Sequence, residues 1–207
     1  GASNSSWIWG LRTSSENLNN ICTYISHISG EAQWGYSTRI QLGASKRFYE
    51  QISDKDFRKH SWLDPRREEF YAYKYAGSDA EIYDFLNGNT NNPAALDYQA
   101  IKFRPMQGNV TNNTVGNAAD HNMMRIEEMY FIEIEALAKD GKLNDAAQLL
   151  NSFMANRITD GSYDCSNYTV DTETFIDEML FQKRAEFWGE GVLMFDYKRL
   201  DRGITRG

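Results

Sequence analysis

The spacing of hydrophobic positions changes near residue 120 and divides the chain into two predicted parts. From Asp120 onward, apolar residues recur every three or four positions, which is the period of an α-helix. Before that point, short apolar segments alternate with polar connections rich in Gly and Asn, which are typical of turns. We therefore predict a loop-rich, ligand-facing region with short strands and helices over 1–120 and a helical region over 121–207. Both belong to one longer domain, of which we expect this sequence to be a fragment.

The helical region begins with a predicted antiparallel pair, spanning 123–140 and 144–157. Gly141 ends the first helix, because glycine adopts a positive φ at little cost, and Asn144 is the expected N-cap of the second. The first helix is predicted to bury one face made of Met123, Ile126, Tyr130, Ile134 and Leu137. The second carries Ala146, Ala147, Leu149, Leu150, Phe153 and Met154.

A third helix is predicted to begin near Asp171 and to end by Gly189. Its apolar face consists of Phe175, Ile176, Met179, Leu180, Lys183 and Phe187, where the aliphatic stem of the lysine lies along the apolar surface. In the loop-rich region, Ser6–Gly10 and Phe70–Tyr75 are predicted to be extended, and Ala44–Gln51 to form a short helix.

These elements predict a mostly α-helical fold with a helical hairpin, a long C-terminal helix and a loop-rich layer carrying short strands. Residues 136–146 resemble the hairpin of a tetratricopeptide repeat, in which small residues and a central glycine let two helices pack closely. A repeat array needs several copies and one is visible here, so a generic pair of antiparallel helices stays an alternative at this point.

The composition is unusual in its aromatic residues, with 5 Trp, 12 Tyr and 11 Phe. A helical core does not require so many, and the excess indicates aromatic surfaces kept for a ligand. The net charge of -7 argues against a nucleic-acid partner, which would need a basic surface.

Cysteine and histidine residues give no indication of a metal site or another cofactor. Cys22 and Cys165 lie far apart and outside any CxxC pattern, so they could pair or stay free. The three histidines have no ligand spacing with a second His or Cys. No apolar run approaches the length that spans a bilayer.

Aromatic residues near the start of the chain are the best candidates for a ligand site. Trp34 and Tyr36 flank a single glycine in a polar segment and could present both rings outward, with Arg39 close by to contact hydroxyl groups. Trp9 is a further candidate. Sugars offer apolar C–H faces and hydroxyl groups, so aromatic rings beside polar groups suit them. The alternative is that at least one of Trp7 and Trp9 packs into the core.

Charged residues in the helical region suggest a structural network rather than catalysis. Paired carboxylates could flank a glycosidic bond, as in a glycoside hydrolase. We favour ion pairs between packed helices, because a buried charge without a partner is costly. The members of this predicted network are Arg125, Glu128, Glu135, Arg184, Glu186 and Arg199.

Four segments of the helical region resemble conserved blocks of the SusD/RagB family, in the same order and with compatible spacing. They are Met124–Ala136, Gly141–Asn151, Leu180–Gly191 and Phe195–Arg199. The resemblance extends over 121–202 and is weaker over 1–75. Gln182 stands where the family usually has Glu, Glu133 where a neutral or basic residue is commoner, and Met194 where Trp is frequent.

The resemblance implies a non-enzymatic, cell-surface protein of the Bacteroidetes type for nutrient acquisition. Family members are lipoproteins of the outer membrane, anchored through an N-terminal Cys that this sequence lacks. They bind oligosaccharides or polysaccharides, and in some members peptides, and deliver them to a TonB-dependent, SusC-like transporter. The resemblance also implies that the loop carrying Trp34 and Tyr36 faces the glycan. A helical scaffold for protein–protein interaction stays an alternative, and a glycoside hydrolase is a more distant one.

Overall fold

The structure, a computed structural model, describes residues 4–17, 23–30, 32, 34, 42–66 and 97–203. Over these residues the chain is mostly helical, with seven α-helices and one sheet of two strands, which confirms the predicted fold class. The elements in chain order are β1 (Trp7–Leu11), α1 (Tyr24–Ile28), α2 (Lys46–Gln51), α3 (Asn113–Gly116), β2 (His121–Arg125), α4 (Ile126–Lys139), α5 (Leu143–Met154), α6 (Thr172–Glu186) and α7 (Leu193–Arg199).

Single 3₁₀ turns lie between these elements, at Phe57–Ser61, Met106–Gly108 and Ser166–Tyr168. β1 and α2 form where an extended segment and a short helix were predicted. The extended segment predicted at Phe70–Tyr75 lies outside the described residues. Within the described ranges, no helix combines the length and the apolar character that crossing a membrane requires.

The chain divides into two compact units. The first unit contains residues 11–51 and 60–121. The second contains residues 2–10, 52–59 and 122–207, so two segments from the loop-rich part of the sequence belong to the unit that holds α4 to α7.

The core of the second unit lies between α4, α5 and α6. Phe131 of α4 packs edge-on against Phe153 of α5, with ring centroids 4.9 Å apart, and against Phe187 at 5.7 Å. Ala138, Ala146 and Ala147 at the hairpin are fully or almost fully buried, which allows the helices to approach closely. The predicted antiparallel helical pair is thus confirmed in its main part.

The connection between α4 and α5 is a Schellman motif centred on Gly141, whose φ is 78°. The Gly141 N–H donates to the Ala138 carbonyl at 3.1 Å, and the Lys142 N–H donates to the Leu137 carbonyl at 2.9 Å. The predicted role of Gly141 in ending the helix is confirmed. The predicted N-cap was wrong, because α5 begins at Leu143 after Lys142 and not after Asn144.

The start and the buried face of α4 differ from the prediction. Residues 123–125 belong to β2, because their backbone pairs with β1 and Arg125 is extended at φ -137° and ψ 160°. Of the predicted face, Met123, Ile126 and Tyr130 are exposed, Leu137 is partly buried and Ile134 is fully buried. The helix buries instead Phe131, Ile134, Glu135 and Ala138. α4 carries apolar residues around much of its circumference, so the periodicity alone fitted more than one face.

α6 follows the prediction closely. The Asp171 carboxylate caps it by accepting from the Thr174 N–H at 2.8 Å, and the helix ends at Glu186. All six residues of the predicted apolar face are buried, namely Phe175, Ile176, Met179, Leu180, Lys183 and Phe187.

The first unit has its own buried aromatic residues. Trp62 is fully buried and packs edge-on against Phe48 of α2, with centroids 5.7 Å apart. The Tyr49 hydroxyl donates to the buried carboxylate of Asp64 at 2.6 Å. These three aromatic side chains serve packing, whereas the composition alone suggested that the excess of aromatic residues is kept for a ligand.

Candidate functional site

Trp9 is the most exposed of the predicted glycan-binding residues that the structure describes. It lies on β1 with 59% of its surface accessible, and its neighbours Ile8 and Leu11 are also about half exposed. Trp7 is partly buried. Trp9 is thus not a core residue, and for Trp7 the alternative that it packs against the core stays a prediction. β1 presents an aromatic and aliphatic surface to solvent.

Trp34 is buried in the first unit and not presented outward. It packs with Ile25 and Ala32, and its indole N–H donates to the side-chain oxygen of Asn117 at 2.9 Å. Its ring lies so close to Gly116 that any Cβ there would collide with it. The predicted outward orientation is wrong for this residue, because the ring finds both an apolar environment and a hydrogen-bond acceptor inside the unit.

Two of the predicted site residues, Tyr36 and Arg39, lie outside the described residues. A glycan-binding role for Trp34, Tyr36, Arg39 and Trp9 thus stays a prediction. Cys22 lies outside the described residues as well, so its pairing with Cys165 is not tested. Cys165 itself is buried, and its thiol donates to the Ala147 carbonyl at 3.3 Å.

Glu186 is the centre of a buried charge cluster in the second unit. Its carboxylate accepts from Arg125 at 2.7 Å, from Arg157 at 3.1 Å and from Arg58 at 3.4 Å. Burial by itself would raise the pKa of Glu186, but these arginines lower it to about 2. The carboxylate is therefore held in its ionised form.

The three arginines around Glu186 have further partners. Arg125 also contacts Glu190 at 2.9 Å, and its guanidinium lies over the Phe187 ring at 4.3 Å. Arg58 forms a close pair with Asp56 at 2.6 Å, and both side chains are almost fully buried. These contacts satisfy the guanidinium donors, which is what a buried cation requires.

A second charge cluster joins α4 to α7. Arg199 pairs with the Glu135 carboxylate and contacts Asp196 at 2.7 Å, and Lys139 contacts Glu135 at 2.9 Å. Lys183 of α6 reaches Asp196 at 2.7 Å. Burial would raise the pKa of Glu135, but Arg199 and Lys139 lower it to about 2.

Four of the six residues of the predicted network are divided between two clusters, whereas Glu128 forms no ion pair with a Lys or Arg side chain in the described part of the chain. Arg125 and Glu186 lie in the first, and Glu135 and Arg199 in the second. Arg184 lies half-buried on α6. The members that the sequence interpretation missed include Asp56, Arg58, Arg157 and Glu190 in the first cluster and Lys139, Lys183 and Asp196 in the second. For Lys183 the apolar face was correctly predicted, and the buried stem of a lysine is a signal that its ammonium group needs a nearby carboxylate.

A cavity of about 470 Å³, called here the α4–α7 cavity, opens beside the second cluster. Glu128 and Ile132 of α4 and Phe195 of α7 belong to its lining, together with the ion pairs of Glu135 and Asp196. Phe195 is 72% exposed and Ile132 is 57% exposed. Across the described part of the chain, no three His, Cys, Asp or Glu side chains are grouped as metal ligands would be.

The sequence matches the model of the SusD family over residues 21–204. The structure is similar to a SusD-like carbohydrate binding protein from Bacteroides vulgatus ATCC 8482, with a TM-score of 0.67 and 20% identity, covering 100% of this chain and 37% of that one. It is also similar to surface glycan-binding protein A from Bacteroides thetaiotaomicron, with a TM-score of 0.55 and 13% identity, covering 95% of this chain and 43% of that one.

The chain therefore spans less than half the length of either of these solved structures. At such identities the structural likeness is a likeness of fold. No protein with a curated description matches the sequence.

Proposed function

The chain belongs to the SusD family, and from that premise we propose that it takes part in capturing oligosaccharides or polysaccharides at the cell surface. The captured glycan is handed to a TonB-dependent, SusC-like transporter of the outer membrane, and a lipid anchor holds the protein there. No bond is made or broken in this function. The observation that carries the proposal is the family match over residues 21–204.

The solved structures of similar fold support a carbohydrate ligand. Both are described as carbohydrate- or glycan-binding proteins, and both share the helical arrangement of this chain. The exposed indole of Trp9 offers the kind of aromatic surface on which a sugar ring packs. We assign the ligand-facing role to residues 1–120, with Trp9, Tyr36 and Arg39 as its candidate residues and Trp9 as the exposed platform.

Two buried carboxylates of the helical unit, those of Glu135 and Glu186, do not favour the alternative of a glycoside hydrolase. A general acid in such enzymes needs a raised pKa so that it stays protonated near neutral pH. The pKa values of Glu135 and Glu186 are instead lowered to about 2 by the arginines that hold them. These two residues suit a structural role.

A panel of polysaccharides tests the proposal in one experiment. Each polysaccharide is cast into a native gel, and the migration of the protein is compared with that in a gel without polysaccharide. The same mixtures are assayed in solution for released reducing ends. Retarded migration without release of reducing ends is the expected result for capture.

Two other results would contradict the proposal. Release of reducing ends identifies an enzyme. Unretarded migration in every gel favours a protein–protein scaffold, for which the exposed apolar side chains of Ile132, Met194 and Phe195 would be the surface to examine.

A further inference from the structure

Three carboxylates line the α4–α7 cavity, and two of them form ion pairs with the Lys and Arg side chains of the same lining. Glu135 pairs with Lys139 and Arg199, and Asp196 pairs with Lys183 and Arg199. All three cationic side chains of the lining, Lys139, Lys183 and Arg199, therefore form an ion pair with Glu135, with Asp196 or with both. The third carboxylate of the lining belongs to Glu128.

Glu128 lies half-buried on the first turn of α4. Its carboxylate accepts a hydrogen bond from the Arg125 backbone N–H, and in the part of the chain that the structure describes no Lys or Arg side chain forms an ion pair with it. Burial raises the pKa of Glu128 above its ordinary value, and the nearby charge of Glu190 adds to this, while Lys183 and Arg125 oppose it. A cation bound beside this carboxylate would stabilise its ionised form.

The remaining lining of the cavity is apolar and accessible. Phe195 and Ile132 are both exposed, and Val192, just before α7, also belongs to the lining. A cavity of about 470 Å³ has the size of sites that hold small organic ligands. Its chemistry suits a group that carries a positive charge at one end and an aliphatic stem behind it.

A guanidinium group on an alkyl chain meets these conditions best. It is planar and donates two parallel hydrogen bonds to one carboxylate, which a metal ion or an ammonium group does not do. It also stacks on an aromatic ring, and its alkyl stem packs on aliphatic side chains. A metal ion would need several oxygen ligands, and the other carboxylates of the cavity are already paired with Lys and Arg.

We propose that the α4–α7 cavity binds an alkylguanidinium group, such as the arginine side chain of a peptide, through Glu128, Phe195 and Ile132. Glu128 accepts from the guanidinium, the Phe195 ring stacks against it, and Ile132 contacts the alkyl stem. This site is separate from the residues assigned to glycan capture and adds a second recognition function to the helical unit.

Acetyl-arginine amide and acetyl-citrulline amide form the matched probe pair. Citrulline has nearly the same shape, with a neutral urea in place of the guanidinium. Isothermal titration calorimetry on the 207-residue protein should show binding of the arginine probe and binding of the citrulline probe weaker by about tenfold or more, as the loss of a charge-assisted hydrogen bond predicts.

The variant Glu128→Gln should remove the preference for arginine. Glutamine keeps the side-chain acceptor for the Arg125 N–H, so the start of α4 is retained. Glu133→Gln is the control, because Glu133 is exposed on the same helix and outside the cavity lining. It removes the same charge and should leave the preference unchanged. Circular dichroism verifies that both variants are folded.

Agmatine and an arginine-containing hexapeptide distinguish a free alkylguanidine from a peptide as the source of the group. Agmatine binding at least as tightly as the hexapeptide assigns the site to a small molecule, and tighter binding of the hexapeptide assigns it to a peptide segment. Equal affinity for arginine and citrulline probes, no binding of either at millimolar concentration, or an undiminished arginine preference in Glu128→Gln would overturn the proposal.

Discussion

Arg125, at the end of β2, donates from Nη1 to the Glu186 carboxylate at the end of α6, and the two atoms are 2.7 Å apart. The same guanidinium donates from Nη2 to the Glu186 backbone carbonyl at 2.8 Å. Arg125 thus ties the point where the strand becomes α4 to the last turn of α6. The position of the helical hairpin against α6 depends on this pair as well as on the phenylalanines beneath it.

Replacement of Glu186 by Ala should strongly destabilise the protein. The change leaves Arg58, Arg125 and Arg157 without the carboxylate that they share, and a buried charge that loses its partner costs about 3–5 kcal/mol. The free energy of unfolding in urea measures this loss. Glu133→Ala, an exposed change on α4, is the control and should stay within about 0.5 kcal/mol of the parent. Equal stability of the two variants would mean that the cluster contributes little.

Acid should weaken the same cluster. The pKa of Glu186 is about 2 in the folded protein, whereas glutamate in an unfolded chain titrates at about 4.3. Because the folded-state pKa is the lower one, the contribution of Glu186 is complete above about pH 4.3 and is lost as the pH falls toward 2. The urea midpoint should therefore drop over this range.

In the Glu186→Gln variant this acid dependence should be smaller, although Glu135, with a pKa also near 2, retains part of it. Urea titrations of parent and variant at several pH values between about 5 and 2.5 make the comparison. Parallel curves for the two proteins would show that Glu186 titrates in the same way in the folded and unfolded chains.

Sequence periodicity predicted α6 well and the charge clusters poorly, for a physical reason. The five apolar residues of the α6 face pack into the same core, so burial and helical spacing coincide along the sequence. Arg58 and Glu186 are 128 residues apart, and their pairing depends on where a 3₁₀ turn meets α6. No local spacing encodes such a contact. The orientation of Trp34 was predicted wrongly for the same reason, because the hydrogen-bond acceptor of its buried indole, Asn117, is 83 residues away in the sequence.

Gly116→Ala should destabilise the first unit. A Cβ at this position would collide with the Trp34 ring and with the Asn109 carbonyl oxygen. The Asn109 oxygen belongs to the backbone, and the Trp34 indole is rigid and hydrogen-bonded to Asn117. Neither group can therefore move away from the added methyl group at low cost. Overpacking of this kind costs about 1–3 kcal/mol. Urea unfolding followed by tryptophan fluorescence measures the effect, and an unchanged midpoint would place the Trp34 ring elsewhere.

Gly141→Ala tests the turn between α4 and α5 without a steric clash. Gly141 has φ 78°, and no atom lies within 4 Å of a Cβ built there, so only backbone strain opposes the substitution. A left-handed conformation costs a non-glycine residue about 1–2 kcal/mol. Gly141→Asn should cost less, because asparagine tolerates this conformation better. If the Gly141→Ala variant were more stable than the Gly141→Asn variant in thermal and urea unfolding, the assignment of a left-handed conformation to residue 141 would be wrong.

Trp9→Ala should weaken glycan binding without unfolding the protein. The indole is 59% exposed on β1, so its removal should change the free energy of unfolding little. An aromatic side chain that anchors a ligand commonly contributes about 2 kcal/mol or more to the free energy of binding. That corresponds to a loss of about thirtyfold in affinity. Calorimetry with a polysaccharide that retards the parent in a native gel measures the change.

Tyr168→Ala is the matched control for Trp9→Ala, because Tyr168 is another partly exposed aromatic side chain of the second unit, with 37% of its surface accessible. A sugar that packs on the face of one indole should be insensitive to this second change. Loss of affinity in Trp9→Ala alone therefore assigns the platform to β1. Equal affinities of parent, Trp9→Ala and Tyr168→Ala would instead direct the search to Tyr36 and Arg39, whose residue types also suit a sugar. Equal losses in both variants would indicate an effect on folding, which circular dichroism of the two proteins detects directly.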